Sequence, residues 1–159
     1  TMVLLIRRAQ ALMEAAGDDG DFDALCQQLH RYQATLRTCF TLENFDNLIK
    51  NGRMRPIVGT LLRSLGIHII ADATAEGTIH VADKARGVGK TYRAITALMK
   101  ASKDCTDAEV VISHCENLEG AMALKRQILA DLPVKQVDLL SCRGLTSFYA
   151  MEKGLIVGY

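Results

Sequence analysis

The chain has no tryptophan, few aromatic residues and no excess of either charge. Lys plus Arg (19) nearly balance Asp plus Glu (18), a formal charge of +1. A nucleic-acid binder normally carries a strong basic excess, so non-specific nucleic-acid binding is excluded. No apolar run approaches the roughly 18 residues that a membrane span needs. The opening TMVLLIRRAQ has no basic stretch followed by an apolar segment and a small-residue cleavage site, so the chain reads as soluble and unexported. The five cysteines, Cys26, Cys39, Cys105, Cys115 and Cys142, form an odd set without a CxxC pair. That argues against a disulfide framework or a zinc ribbon and places the protein in a reducing cytoplasm. There is no internal repeat, no low-complexity tract and no Pro/Gly/Ser linker. A length of 159 residues then fits a single domain over 1–159, and 49% hydrophobic against 23% charged residues excludes intrinsic disorder.

Signs of unaided chemistry are equally scarce. His30, His68, His80 and His114 are not paired at metal-ligand spacing on one element. His114 and Cys115 are neighbours at a strand end, where their side chains point to opposite faces, so they do not make a nucleophile pair. No triad and no suitably placed pair of carboxylates is evident. The expectation is a protein that is not an enzyme and needs no metal or cofactor.

What the sequence does have is clear periodicity. Met2, Leu5, Ile6, Ala9, Leu12, Met13 and Ala16 recur at helical spacing up to Gly17. Asp21 is placed to cap a second helix with the stripe Phe22, Leu25, Cys26, Leu29, Tyr32 and Leu36, which puts Cys26 on its buried face. RTCFTL reads as a strand. Leu42, Phe45, Leu48 and Ile49 mark a brief helix closed by Asn51-Gly52, and Pro56 opens another carrying Ile57, Val58, Leu61, Leu62 and Leu65. From Ile67 the period changes to two, and IHIIADAT and TIHVADKA flank an Ala75-Glu76-Gly77 turn as a β-hairpin. A helix around Tyr92, Ile95, Thr96 and Met99, the strand EVVISH, a helix from Leu118 to Leu129, and the strands KQVDLLS and GLIVGY complete the chain. A hairpin combined with strand–helix–strand crossovers predicts an α/β, two-layer domain with a mixed sheet of about six strands and helices packed mainly on one face. The first helix begins at once, with neither a cap nor a preceding strand, which reads as a fragment of a longer protein.

Near-neutral charge conceals an uneven distribution. Lys84, Arg86, Lys90, Arg93, Lys100 and Lys103 lie in a stretch without an acid, and Lys50, Arg53, Arg55 and Arg63 lie in another. Acids gather instead at Glu14, Asp18, Asp19, Asp21 and Asp23. The basic face should attract an acidic partner or a phosphorylated ligand. Gly87 to Thr91, GVGKT, invites comparison with a phosphate-binding loop, but the initiating glycine would have to stand where Lys84 stands.

Several segments together resemble the carboxy-terminal part of the DegV family of fatty-acid-binding proteins. They are TLENFDNLIKNGRMRP, IIADATAEGTIHVADKARG, VVISHCENLEGAMALKRQI and RGLTSFYAMEKGLIVGY, in that order along the chain, the last resembling the family's closing Gly-centred loop and final strand. The resemblance implies a DegV-like carboxy-terminal domain whose amino-terminal, fatty-acid-enclosing domain lies outside this chain. It also implies non-catalytic binding of a long-chain fatty acid and presentation of its carboxylate to a kinase that makes acyl phosphate for phospholipid synthesis. Carried over by position, Arg53 would approach the carboxylate and Met54 would touch the chain. Arg86, Lys90 and Arg93 would lie on the kinase-docking side. Where many relatives place a His in a Thr-His-Thr-Gly loop, this chain has Ser141-Cys142-Arg143-Gly144, so Arg143 would be the charged donor in place of an imidazole. Thr146, Ser147 and Tyr149 would offer hydroxyls nearby. The residues themselves leave two alternatives open: a nucleotide-dependent phosphotransfer enzyme built on Gly87 to Thr91, and a protein-interaction module using the basic helix.

Overall fold

The computed structural model describes residues 1–18, 20–54, 66–74 and 76–159. Helices α1 (Met2–Ala16) and α2 (Phe22–Thr35) precede strand β1 (Thr38–Leu42) and the short helix α3 (Asp46–Lys50). The hairpin β2 (Ile67–Ala73) and β3 (Ile79–Arg86) leads into α4 (Val88–Ser102), β4 (Glu109–His114), α5 (Leu118–Asp131) and β5 (Gln136–Ser141). A short α6 (Leu145–Ala150) and the closing strand β6 (Leu155–Gly158) end the chain.

All six expected strands form one mixed sheet in the order β3-β2-β1-β6-β4-β5. Only β4 and β5 pair in parallel, joined by the crossover helix α5, and the other neighbours are antiparallel. Side-chain alternation then sends each strand's residues to two different layers. Cys39, Ile70, Ile112, Leu155 and Val157 face α4 and α5, whose Ile95, Met99, Leu124 and Ile128 complete the main core. Phe40, Leu42, Ile69 and Ile156 face the opposite way, toward Leu48 of α3 and Ala150 of α6. A bulge between Ile70 and Ala71 breaks the hairpin register, so Ile70 pairs with Asp83 while Ala71 pairs with Val81. It keeps Ile79 and Val81 in the second layer while Ala85 packs into the first.

Helix ends follow local chemistry. The Asp21 carboxylate accepts from the backbone N–H groups of Asp23 and Ala24, as expected of an N-cap. Between α4 and α5 the Thr96 hydroxyl donates to the Asp131 carboxylate at 2.7 Å, while Arg7 of α1 pairs with Asp138 of β5 at 2.5 Å.

Several expectations need correction, beginning with Leu42, which ends β1 instead of joining the brief helix, and Phe45, which only precedes it. In α1 the buried residue is Leu4, while Met2, Ile6 and Met13 are exposed; Met2 to Ile6 is an unbroken apolar run, so periodicity alone does not set which face turns inward. In α2 no residue is fully buried, Phe22 is 74% exposed and Cys26 is only half-buried, because α2 packs mainly along α1. Leu145–Ala150, read as part of a closing loop, is helical, and six residues are too few to display a period. The helix expected from Pro56 to Leu65, with Arg55 and Arg63, lies outside the described residues, as do Asp19 and Ala75 of the two expected turns. Among the described residues, no helix is long and apolar enough to cross a membrane.

Candidate functional site

The second layer does not close. Between α3, α6, the tip of the β2–β3 hairpin and the exposed face of β1 and β6 lies a cavity of about 400 Å³. Its walls are Phe40, Leu42, Leu48, Ile79, Ala150 and Ile156, with Tyr149, Thr78 and Arg53 contributing polar groups. This size and composition lie within the usual range for a small-molecule pocket, about 300 to 1,000 Å³ with mostly apolar walls and a few polar groups.

Arg53 reaches the cavity through a helix stop written in the sequence. Gly52, at φ 67, takes the left-handed conformation, its N–H donates to the Ile49 carbonyl at 3.0 Å, and the Arg53 N–H donates to the Leu48 carbonyl at 2.8 Å. This pair of bonds is a Schellman stop, which turns the chain sharply after α3 and delivers the next side chain beside Leu48. The opposite wall is tied to the same helix, since the Asn47 side-chain amide donates to the Phe148 carbonyl at 2.6 Å. Phe148 and Tyr149 stack edge to face with centroids 5.1 Å apart.

Of the ligand-binding residues named from the sequence, Arg53 lines the cavity. Met54 and Cys142 are half-buried and pack against the same apolar cluster. Arg143 and Thr146 are exposed and Ser147 half-buried, on the segment that leads into α6 and along α6 itself. Tyr149, noted in the sequence only as a nearby hydroxyl, is a wall residue. The hairpin tip Gly77–Thr78–Ile79 was not expected there at all; it arrives because the sheet order sets β2 beside β1.

Arg86, Lys90 and Arg93 are exposed around the junction of β3 and α4, where Gly87 turns the chain at φ 83. The phosphate-loop alternative finds no support in the placement of Thr91. That residue is 1% exposed and its hydroxyl donates to the Gly87 carbonyl at 3.1 Å, so the group that would face a nucleotide-bound metal is internal and occupied. Among the described residues, no three His, Cys, Asp or Glu side chains cluster to hold a metal ion.

These features define a class: an α/β domain with an apolar cavity on one open sheet face and a guanidinium among its lining. The family model described as "Uncharacterised protein, DegV family" matches residues 3–155, and the chain belongs to the DegV family. A DegV domain-containing protein of Streptococcus gordonii is 31% identical over 151 residues, which is 94% of this chain and 53% of the relative. A DegV family protein from Eubacterium eligens loaded with heptadecanoic acid is 25% identical, with a TM-score of 0.89 over 99% of this chain and 55% of that one. The Streptococcus pneumoniae Fatty Acid Kinase (Fak) B3 protein loaded with linoleic acid is 30% identical, with a TM-score of 0.87 over 98% of this chain and 54% of that one. The chain therefore spans about half the length of the relatives it matches.

Proposed function

We propose that this domain is the ligand-facing half of a non-catalytic fatty-acid carrier. It holds a long-chain fatty acid along the second sheet layer and presents the carboxylate to a cytoplasmic acyl-phosphorylating kinase that feeds phospholipid synthesis. The observation that carries the reading is the cavity whose walls are Phe40, Leu42, Leu48 and Ile156 and whose lining includes the Arg53 guanidinium. Similar proteins loaded with heptadecanoic and linoleic acids support it.

The physics suits an amphiphile. Each buried methylene contributes about 0.8 kcal/mol, so a tail of roughly fifteen supplies on the order of 10 kcal/mol before ordering costs. The head group is recognised by a charge-assisted hydrogen bond from Arg53, with Arg143, Thr146 and Ser147 along the rim and Met54 and Cys142 against the chain. An amino-terminal domain supplies the remaining wall. Arg86, Lys90 and Arg93 form the docking surface for the kinase, whose complementary acids would make association salt-sensitive.

Organic extraction of the purified protein followed by mass spectrometry, together with titration by oleate and palmitate, tests the reading. Acyl species should be recovered, and Arg53→Ala should weaken binding about tenfold or more, the scale of one charge-assisted hydrogen bond. Recovery of no acyl species together with no binding of either fatty acid would refute it.

A further inference from the structure

Two of the five cysteines stand side by side at the ends of paired strands. In the parallel β4–β5 ladder Ile112 is opposite Leu139 and His114 is opposite Ser141, so the next residue on each strand, Cys115 and Cys142, continues the register. The backbone is held there on both sides. The Cys142 N–H donates to the His114 carbonyl at 2.7 Å, and the Cys115 N–H donates to the Gly154 carbonyl at 3.0 Å. Ile112 and Leu139 point toward α4 and α5, and alternation turns Cys115 and Cys142 to the opposite face, where both pack against the apolar cluster of the cavity. Neighbouring strands lie about 4.8 Å apart, inside the span of about 4.4 to 6.8 Å between Cα atoms that a disulfide bridges. Both thiols are free and half-buried, whereas Cys39 and Cys105 are buried in the other layer.

We propose that Cys115 and Cys142 form an oxidation site, a thiol pair that a peroxide converts reversibly to an intramolecular disulfide. In the first step one thiolate sulfur attacks a peroxide oxygen, the O–O bond breaks, and a sulfenic acid and hydroxide result. In the second the neighbouring thiolate attacks the sulfenyl sulfur, the S–O bond breaks, and a second hydroxide leaves as the S–S bond forms. The two sulfurs together give up two electrons, the peroxide is reduced, and the two thiol protons end in two molecules of water. Burial pushes the Cys142 thiol up and the neighbouring Cys115 adds to that rise, so oxidation is slow at neutral pH and accelerates as pH increases. Cys142 opens the segment that runs through Gly144 into α6, whose Tyr149 and Ala150 line the cavity. The bond would tie that segment to the end of β4, and it forms whether or not the cavity takes a fatty acid.

The test is peroxide treatment of the full chain, alkylation of remaining thiols, and intact mass with non-reducing peptide mapping. The expected product is about 2 Da lighter than the reduced chain before alkylation and carries two fewer alkyl groups after it, joins the Cys115 peptide to the Cys142 peptide, and reverts with dithiothreitol. Cys26, Cys39 and Cys105 should stay available for alkylation after unfolding. Cys142→Ser should abolish the link and leave a sulfenic acid at Cys115 that dimedone traps, and Cys115→Ser should do the converse. Sulfenic or sulfinic acid accumulating at either cysteine of the parent chain without the bridge, or a bridge that uses Cys26 instead, overturns the proposal. The parent peptide map decides this even if a variant fails to fold.

Discussion

The Tyr159 hydroxyl lies 2.7 Å from the Ser102 hydroxyl and ties the end of α4 to the residue that follows β6. The ring is buried against the main core, and Lys103 approaches its face at 6.0 Å. The backbone on either side is paired as well, since Tyr159 and Arg37 exchange N–H to carbonyl bonds at 3.0 and 2.7 Å.

Alkaline stability should depend on this residue. Burial pushes the Tyr159 phenol from its ordinary 10.0 up to about 12, against the opposing effect of the Ser102 hydrogen bond. Burial likewise pushes the Cys39 thiol from 9.0 up to about 12, with Asp72 adding to it. Both groups are raised in the folded state, so the unfolded chain releases these protons first as pH climbs. Their contribution is fully present below about pH 9 and is lost as pH rises through about 12. Denaturant unfolding followed by circular dichroism at a series of pH values should show stability falling across that window. Tyr159→Phe, which has no proton to release there, should fall less steeply than the parent; equal slopes would contradict the assignment.

Gly154 packs closely against a wall residue of the cavity. A Cβ built on it would stand 2.4 Å from the Ala150 carbonyl oxygen, which is backbone and cannot swing aside. Ala150 is both buried and a wall of the cavity, so relief requires α6 to move away from β6. Gly154→Ala is expected to cost about 1 to 3 kcal/mol, the range for overpacking, and to lower Tm by roughly 2 to 12 °C. A calorimetric melt within about 1 °C of the parent would show that the helix accommodates the methyl without strain.

Much of this fold was legible in the sequence because its strands alternate or run apolar between turn residues and two of its helix ends carry capping residue types. Ile67 to Ala73, Glu109 to His114 and Leu155 to Gly158 are such strands, and Asp21 and Asn51-Gly52 sit where a helix starts and stops. The inward face of α1 was not legible, because five consecutive apolar residues fit several phases, and Leu4 rather than Ile6 won. Arg53 is named by the family resemblance, and the glycine stop that delivers it to the cavity is local. Tyr149 is named only as a nearby hydroxyl and the hairpin tip not at all, because their place in the cavity follows from sheet order and from an α6 too short to signal itself. The nearness of Cys115 to Cys142 has the same origin: it exists only once β4 and β5 are paired in register.

Adjacent residues on β6 should separate stability from ligand binding. Leu155 is 1% exposed in the main core against α4 and α5, while Ile156, one position along, is half-buried and lines the cavity. Leu155→Ala removes fully packed atoms and should cost about 2 to 5 kcal/mol in denaturant unfolding. Ile156→Ala removes atoms that already border an open space, so its stability cost should be nearer 1 kcal/mol or below, because little new cavity is created. In a fatty-acid titration the order reverses. Ile156→Ala withdraws apolar surface that would touch the tail and should weaken oleate binding by about threefold to tenfold, the loss of roughly one buried methylene contact or two. Leu155→Ala, measured where it remains folded, should bind within about twofold of the parent, since its side chain lies on the other side of the sheet. The alternation of a single strand thus predicts opposite rankings in two measurements, and a Leu155→Ala variant that lost affinity while Ile156→Ala kept it would place the ligand on the wrong layer.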